Sequence, residues 1–263
     1  MSMTNVICQS RRSFVVTDGA SYDPDGVLTS IQTKAFAIAH WPGVVTGRGT
    51  SVMTPILAWS LSAKFESFDA AVEGIAGVLP GIVADFNLTG HHCELILAGW
   101  SAHRQAMESY VIKTTDEEPR NFSDEQRQGI KNGTHYVTPA MQLIRLPDVV
   151  AGPVFSQQIM RESGFPGIDL DAEPTAMMER LRFAAECQRQ DRNADGKCYV
   201  GGYVSVSMIT PETITQAIIA RWPDKIGELI APAPADWNEW RSAPKSNVVK
   251  MKHANGNSRR GKH

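Results

Sequence analysis

The sequence predicts an α+β fold: two antiparallel sheets stacked face to face with helices outside them, a four-layer αββα sandwich. Three observations carry this. Runs with strand period come in blocks, and runs with helical period come in groups between those blocks, with no strand–helix–strand alternation. In order the chain reads four strands, two helices, two or three strands, two helices and two strands. With 263 residues, 42% of them hydrophobic, the chain can also bury one sizeable core without disulfides or metals.

The opening predicts a β-hairpin, Thr4–Gln9 and Ser13–Asp18 joined by the polar Ser10-Arg11-Arg12 turn. A loop of turn formers follows (Gly19, Asp23, Pro24, Asp25, Gly26), then strand-like runs Thr33–Ala39 and Gly43–Thr46. From Thr50 the apolar residues Met53, Ile56, Leu57, Leu61 and Phe65 recur at helical spacing. A second helix is expected from Phe68 to Phe86, started by Ser67 and Asp69 and kinked at Pro80. Strands return at His92–Trp100 and Met107–Lys113. The polar stretch 114–132 reads as irregular, with one helical turn around 124–130. A strand is expected over 137–146 and helices over 153–163 and 173–190. The loop after the last of these precedes strands Cys198–Ile209 and Thr213–Ala220. Residues 1–231 form the expected domain, and 232–263 read as a linker and a basic, mobile end.

Charge separates that end from the rest. Six of the 26 Lys and Arg lie in 245–263, which holds no acidic residue, so the preceding 244 residues carry 20 basic against 28 acidic side chains. The formal net charge of -2 and a charged fraction of 21% fit an ordinary globular protein rather than a dedicated nucleic-acid or membrane binder. Any contact with nucleic acid is expected only through the basic tail. Cys8, Cys93, Cys187 and Cys198 form no CxxC pair, which points to neither a zinc site nor a disulfide framework. With no apolar run of 18 residues and no export-signal pattern, a cytoplasmic location without membrane contact is expected.

Four short motifs carry chemistry. Thr17-Asp18-Gly19 ends the second strand, and Gln32-Thr33-Lys34 follows with Lys34 16 residues after Asp18. Gly47-Arg48-Gly49-Thr50 lies between a strand and the first helix, and Val200-Gly201-Gly202 opens a late strand. On these motifs and the element order, the chain resembles the proteasome β-type family of N-terminal-nucleophile hydrolases, including its bacterial proteolytic relatives, over roughly residues 2–221. The resemblance implies that Ser2, freed by removal of Met1, is the nucleophile, with Thr4 as the rival position. It implies that the α-amine acts as base, since such groups titrate near ~8. Lys34 would favour the neutral amine and the alkoxide, and Asp18 would anchor Lys34. Backbone N–H groups at Gly47 or Gly49 would form the oxyanion hole. The implied protein is a homo-oligomeric peptidase or amidohydrolase that needs no cofactor. Two departures stand out: Val200 replaces the family's Ser, and Lys197 falls where the family has a supporting Asp, a role then open to Asp191 or Asp195.

Other readings of the same residues stay open. Asp18 is also a turn former and Lys34 also a solvated strand residue. A non-catalytic subunit of the same fold would keep the architecture without the activity. Asp191, Asn193 and Asp195 have the DxNxDG spacing of a calcium loop, a candidate structural cation site, although Gly202 occupies the twelfth position where Glu is needed. His91-His92-Cys93 reads as structural.

Overall fold

The structure is a computed structural model that describes residues 3–116, 139–152, 174–190, 192, 195–234 and 249–251. It is α+β, with antiparallel sheets and, among the described residues, three helices. The N-terminal hairpin forms as expected. Strands β1 (Thr4–Cys8) and β2 (Ser13–Asp18) pair antiparallel from Thr4↔Thr17 to Cys8↔Ser13. All eleven residues are buried, because the hairpin sits inside a six-stranded sheet rather than at its edge.

Two short strands, β3 (Ala20–Tyr22) and β4 (Leu28–Ile31), form a separate hairpin across a stretch expected to be loop. They are only three and four residues long, and Ser21, Thr29 and Ser30 give them no apolar alternation to read. Strand β5 is shorter than expected, Ala35–Ala37, which leaves Thr33 and Lys34 outside it. Strand β6 (Gly43–Gly49) runs three residues beyond Thr46 into the glycine motif.

Helix α1 spans Met53–Lys64 and α2 spans Phe68–Asp85. The Ser67 side chain caps α2 by accepting from Ala70 N at 3.1 Å. Pro80 does not end α2, which continues to Asp85. Strands β7 (Cys93–Ser101) and β8 (Ala106–Lys113) follow. Of the strand expected over 137–146, only β9 (Ile144–Arg145) is seen; 137 and 138 lie outside the described residues. Strand β10 (Val149–Gly152) was not expected; it pairs with β1. The turn around 124–130 and the helix 153–163 lie outside the described residues.

Helix α3 is Pro174–Gln190. The long late strand starts only at Tyr203 (β11, Tyr203–Ile209) because Gly202 has φ +75° and breaks the extended run. Strand β12 is Ile214–Arg221, and within the tail β13 (Val249–Met251) adds an edge strand against it. The six-stranded sheet has the order β10-β1-β2-β11-β12-β13 and the five-stranded sheet β5-β6-β7-β8-β9.

Three apolar clusters hold these elements. One joins the five-stranded sheet to α1 and α2 through Val45, Leu57, Leu61, Ile75, Leu79, Leu95 and Leu97. A second joins the six-stranded sheet to α3 through Phe14, Val16, Met177, Leu181 and Val204. The third contains Val6 and Val15 from one sheet and Val44, Ile96 and Val111 from the other. Alternation along each strand sends successive side chains to opposite faces, so each of these strands serves two clusters. Among the described residues no single helix is long and apolar enough to cross a membrane. Helices α1 and α2 pass that test only as a pair, and they meet at 116° with their apolar faces in the first cluster.

Candidate active site

The hairpin register explains why Asp18 meets the start of the chain. Thr4 lies opposite Thr17, so one step further Met3 lies abreast of Asp18. Met3 N, the amide bonded to residue 2, donates to Asp18 Oδ1 at 3.0 Å. Lys34 Nζ donates to the same oxygen at 2.9 Å. The other oxygen, Oδ2, accepts from Ala20 N at 3.1 Å and Gly201 N at 3.3 Å. Asp18 is fully buried and the Lys34 side chain is 10% exposed. Three backbone N–H groups and one ammonium thus hold a carboxylate that burial alone would penalise.

The spacing between Asp18 and Lys34 has a structural cause. The β3–β4 hairpin leaves Asp18 and returns the chain to it, with Gln32 N donating to Gly19 O at 2.8 Å and Gln32 Nε2 to Ser21 Oγ at 2.7 Å. Lys34 is thereby delivered next to Asp18 just before β5 begins. Gly19 admits the ring of Tyr203, whose Cε1 would lie 2.7 Å from a Cβ at position 19.

Lys34 also lines a cleft of about 800 Å³, together with Gly47, Arg48, Gly49, Thr54 and other polar residues. β5 pairs with β6 only from Ala35↔Thr46 to Ala37↔Val44. Continuing that register sets Lys34 abreast of Gly47, and from Gly47 onward the β5-side edge of β6 has no strand partner among the described residues. Backbone N–H groups alternate between the two edges of a strand, so the run 47–49 presents at least one N–H on the open edge. Both glycines are sterically required. A Cβ at Gly47 would lie 2.6 Å from Glu94 O, and at Gly49, where φ is +99°, 2.2 Å from His92 O. Thr50, Ser51 and Thr54 bring the N-terminal end of α1 to the same cleft, and no side chain caps that end.

The structure therefore brings Asp18, Lys34, Gly47 and Gly49 to one region. Ser2 lies outside the described residues. Thr4 is fully buried inside β1 and does not line the cleft; the two-residue slip it would need as nucleophile is absent from the observed register. Asp191 and Asn193 lie outside the described residues, and no group of three or more metal-ligating side chains occurs among those described. Asp195 accepts from Lys197 N at 3.0 Å and the Tyr199 hydroxyl at 2.5 Å. His92 bonds Thr115 through Nδ1 at 2.8 Å.

The support for the Val200-Gly201-Gly202 turn comes from residues that sequence reasoning missed, Arg189 and Asp224. Arg189 Nη1 donates to Val200 O at 2.9 Å and to Asp224 Oδ2 at 2.8 Å, and Nη2 to Asp224 Oδ1 at 2.5 Å. Asp224 Oδ2 also accepts from Gly202 N at 2.7 Å. This pair, 5% and 6% exposed, grips the turn on both sides of Gly201, whose N–H reaches Asp18. Arg189 also stacks over Trp222, whose indole N–H donates to Glu186 at 2.9 Å. Burial pushes the Glu186 carboxyl above the usual range, against the Trp222 hydrogen bond and the nearby Arg189 and Arg182. No sequence signal links Arg189 to Asp224: one ends a helix and the other follows Pro223 in a loop.

A scan against protein-family models finds no match for this chain. A search of curated proteins finds none either.

Proposed function

We propose that the chain is an N-terminal-nucleophile hydrolase of proteasome-like type, with the four-layer αββα fold of that superfamily, cleaving peptide or other amide bonds through Ser2 after loss of Met1. The observation that carries this reading is that one buried oxygen, Asp18 Oδ1, receives both Lys34 Nζ and the amide that follows residue 2. The three apolar clusters support the layering.

In this mechanism the Ser2 hydroxyl attacks the substrate carbonyl and its proton passes to the free α-amine. Lys34, oriented by its hydrogen bond to Asp18, stabilises the alkoxide and favours the neutral amine. The tetrahedral oxyanion takes N–H donors from the open edge at Gly47–Gly49, aided by the uncapped end of α1. Collapse expels the amine leaving group, which collects the proton. Water, deprotonated by the same amine, then releases the acyl group. Assembly into a homo-oligomer, with no cofactor required, belongs to the same reading.

The test is turnover of fluorogenic peptide amides by the purified chain and by Ser2→Ala and Lys34→Ala. Loss of turnover in both variants supports the reading; unchanged turnover in both rejects it. A second reading, a non-catalytic structural subunit of the same fold, is favoured by Val200. Its side chain is 2% exposed and packs in the α3 cluster, so its position offers no hydroxyl to the site.

A further inference from the structure

The basic tail has no part in the proposed chemistry, yet a piece of it joins the fold. Strand β13 pairs antiparallel with β12 as Gln216↔Met251, Ala217↔Lys250 and Ile218↔Val249, and it is the last strand of the six-stranded sheet. A strand of three residues is marginal by itself. Two features favour its seat here. It belongs to the same chain as β12, so it meets that edge at the effective concentration of an intramolecular segment. The tail also carries six basic residues and no acidic one against an acidic remainder, which draws it to the body of the molecule.

Strand β12 needs such cover. From Ile214 to Ala220 it contains no charge and no proline, and Ile214, Thr215, Ile218 and Ile219 are β-branched. Its inner edge pairs with β11, from Ile214↔Ile209 to Arg221↔Tyr203. A bare outer edge of that length and composition is a template for pairing with another chain. Strand β13 replaces it with an edge of the opposite character, three residues long, centred on Lys250 and followed in sequence by Lys252. Short edges that carry lysine resist pairing between copies, because like charges meet when two of them align.

We propose that β13 is an edge guard, and that the partner it excludes is a second copy of this chain, pairing its β12 antiparallel with this β12. Antiparallel pairing of a strand with its own copy satisfies a two-fold axis, so two bare edges would join two sheets into one. The proposal is independent of the hydrolase reading, and turnover has no part in its test.

The test uses the full-length chain and a Val249→Pro/Lys250→Pro variant of it. Backbone N–H groups of successive residues point to opposite edges, so one of the two prolines removes a donor aimed at β12. Hydrogen exchange of the β12 amides and mass by light scattering are followed over a range of concentrations. In the parent, the outward amides within 216–218 are expected to be protected. In the dilute variant they should exchange about tenfold faster, the scale of one lost hydrogen bond. On concentration, the variant's mass should double relative to the parent's and protection should return at those same amides. An excess of a synthetic peptide of residues 245–255 should restore the parent's mass. Non-specific aggregation of a misfolded variant would give neither the returned protection nor the rescue. Unprotected outward β12 amides in the parent overturn the proposal without any variant. So does a variant whose mass equals the parent's at every concentration, or one that gains mass with residues 216–218 still exchanging fast.

Discussion

Replacing Asp18 by Asn changes two atoms' chemistry at the most connected side chain of the site. Asp18 accepts four hydrogen bonds, two on each oxygen, and is fully buried. An Asn oxygen facing Lys34 and Met3 N turns the NH₂ toward the N–H groups of Ala20 and Gly201; the opposite flip turns it toward Lys34 and Met3 N. Either way two buried donors lose their acceptor, at ~1–3 kcal/mol each. Removing one partner of a buried ion pair costs ~3–5 kcal/mol by a separate route, so the two estimates agree. At ~2–4 °C per kcal/mol for a chain of this size class, Asp18→Asn should lower Tm by roughly 6–20 °C. Lys34→Met should cost less, since Asp18 keeps three N–H donors, and the double variant should fall short of additivity. Thermal melts followed by circular dichroism decide it. A shift for Asp18→Asn equivalent to less than about 1 kcal/mol, or a larger loss for Lys34→Met, would refute the view that Asp18 is the charged hub.

Three other outcomes follow from the same geometry. Asp224→Ala should destabilise by about 3–5 kcal/mol by leaving Arg189 buried and unpaired, and peptide turnover should fall with it because the 200–202 turn loses its grip; a urea midpoint equal to that of the parent contradicts this. Gly49→Ala should cost roughly 2 kcal/mol or more, since φ +99° disfavours any Cβ and the new methyl would meet His92 O; a neutral result in urea unfolding would show that the backbone relaxes. For Glu186 the raised folded-state carboxyl binds its proton more tightly than the unfolded chain does. Its stabilising contribution is therefore present below the ordinary value of 4.5 and is lost as pH rises through the raised one. Glu186→Gln, which keeps an acceptor for Trp222, should match the parent at about pH 4 and exceed it at about pH 7; parallel stability curves would contradict the shift.

Strong local patterning made much of this legible from sequence. The buried hairpin Thr4–Asp18, helix α2 with its Ser67 cap, and the β7–β8 pair all carry runs of apolar residues at a clear period, and their positions match expectation to within a residue or two. The β3–β4 hairpin did not, because its strands are short and polar and owe their pairing to the return of the chain toward Asp18. Strand β10 is set by its partner β1 rather than by its own pattern. In the site, the Asp18 and Lys34 relation was readable as a spacing. The Arg189–Asp224 clamp was not, since a contact between residues 35 apart in a helix and a loop leaves no periodic trace. The Lys197 departure looked like a missing support; in the structure the turn is held by a different pair, Arg189 and Asp224.

The proposed chemistry requires a free α-amine on Ser2, so intact-mass spectrometry with N-terminal sequencing of the purified protein tests it most directly. The expected result is a chain lacking Met1 and beginning with an unmodified Ser2. A retained Met1, or an acetylated Ser2, would remove the base on which the mechanism depends and leave the site as an architectural one.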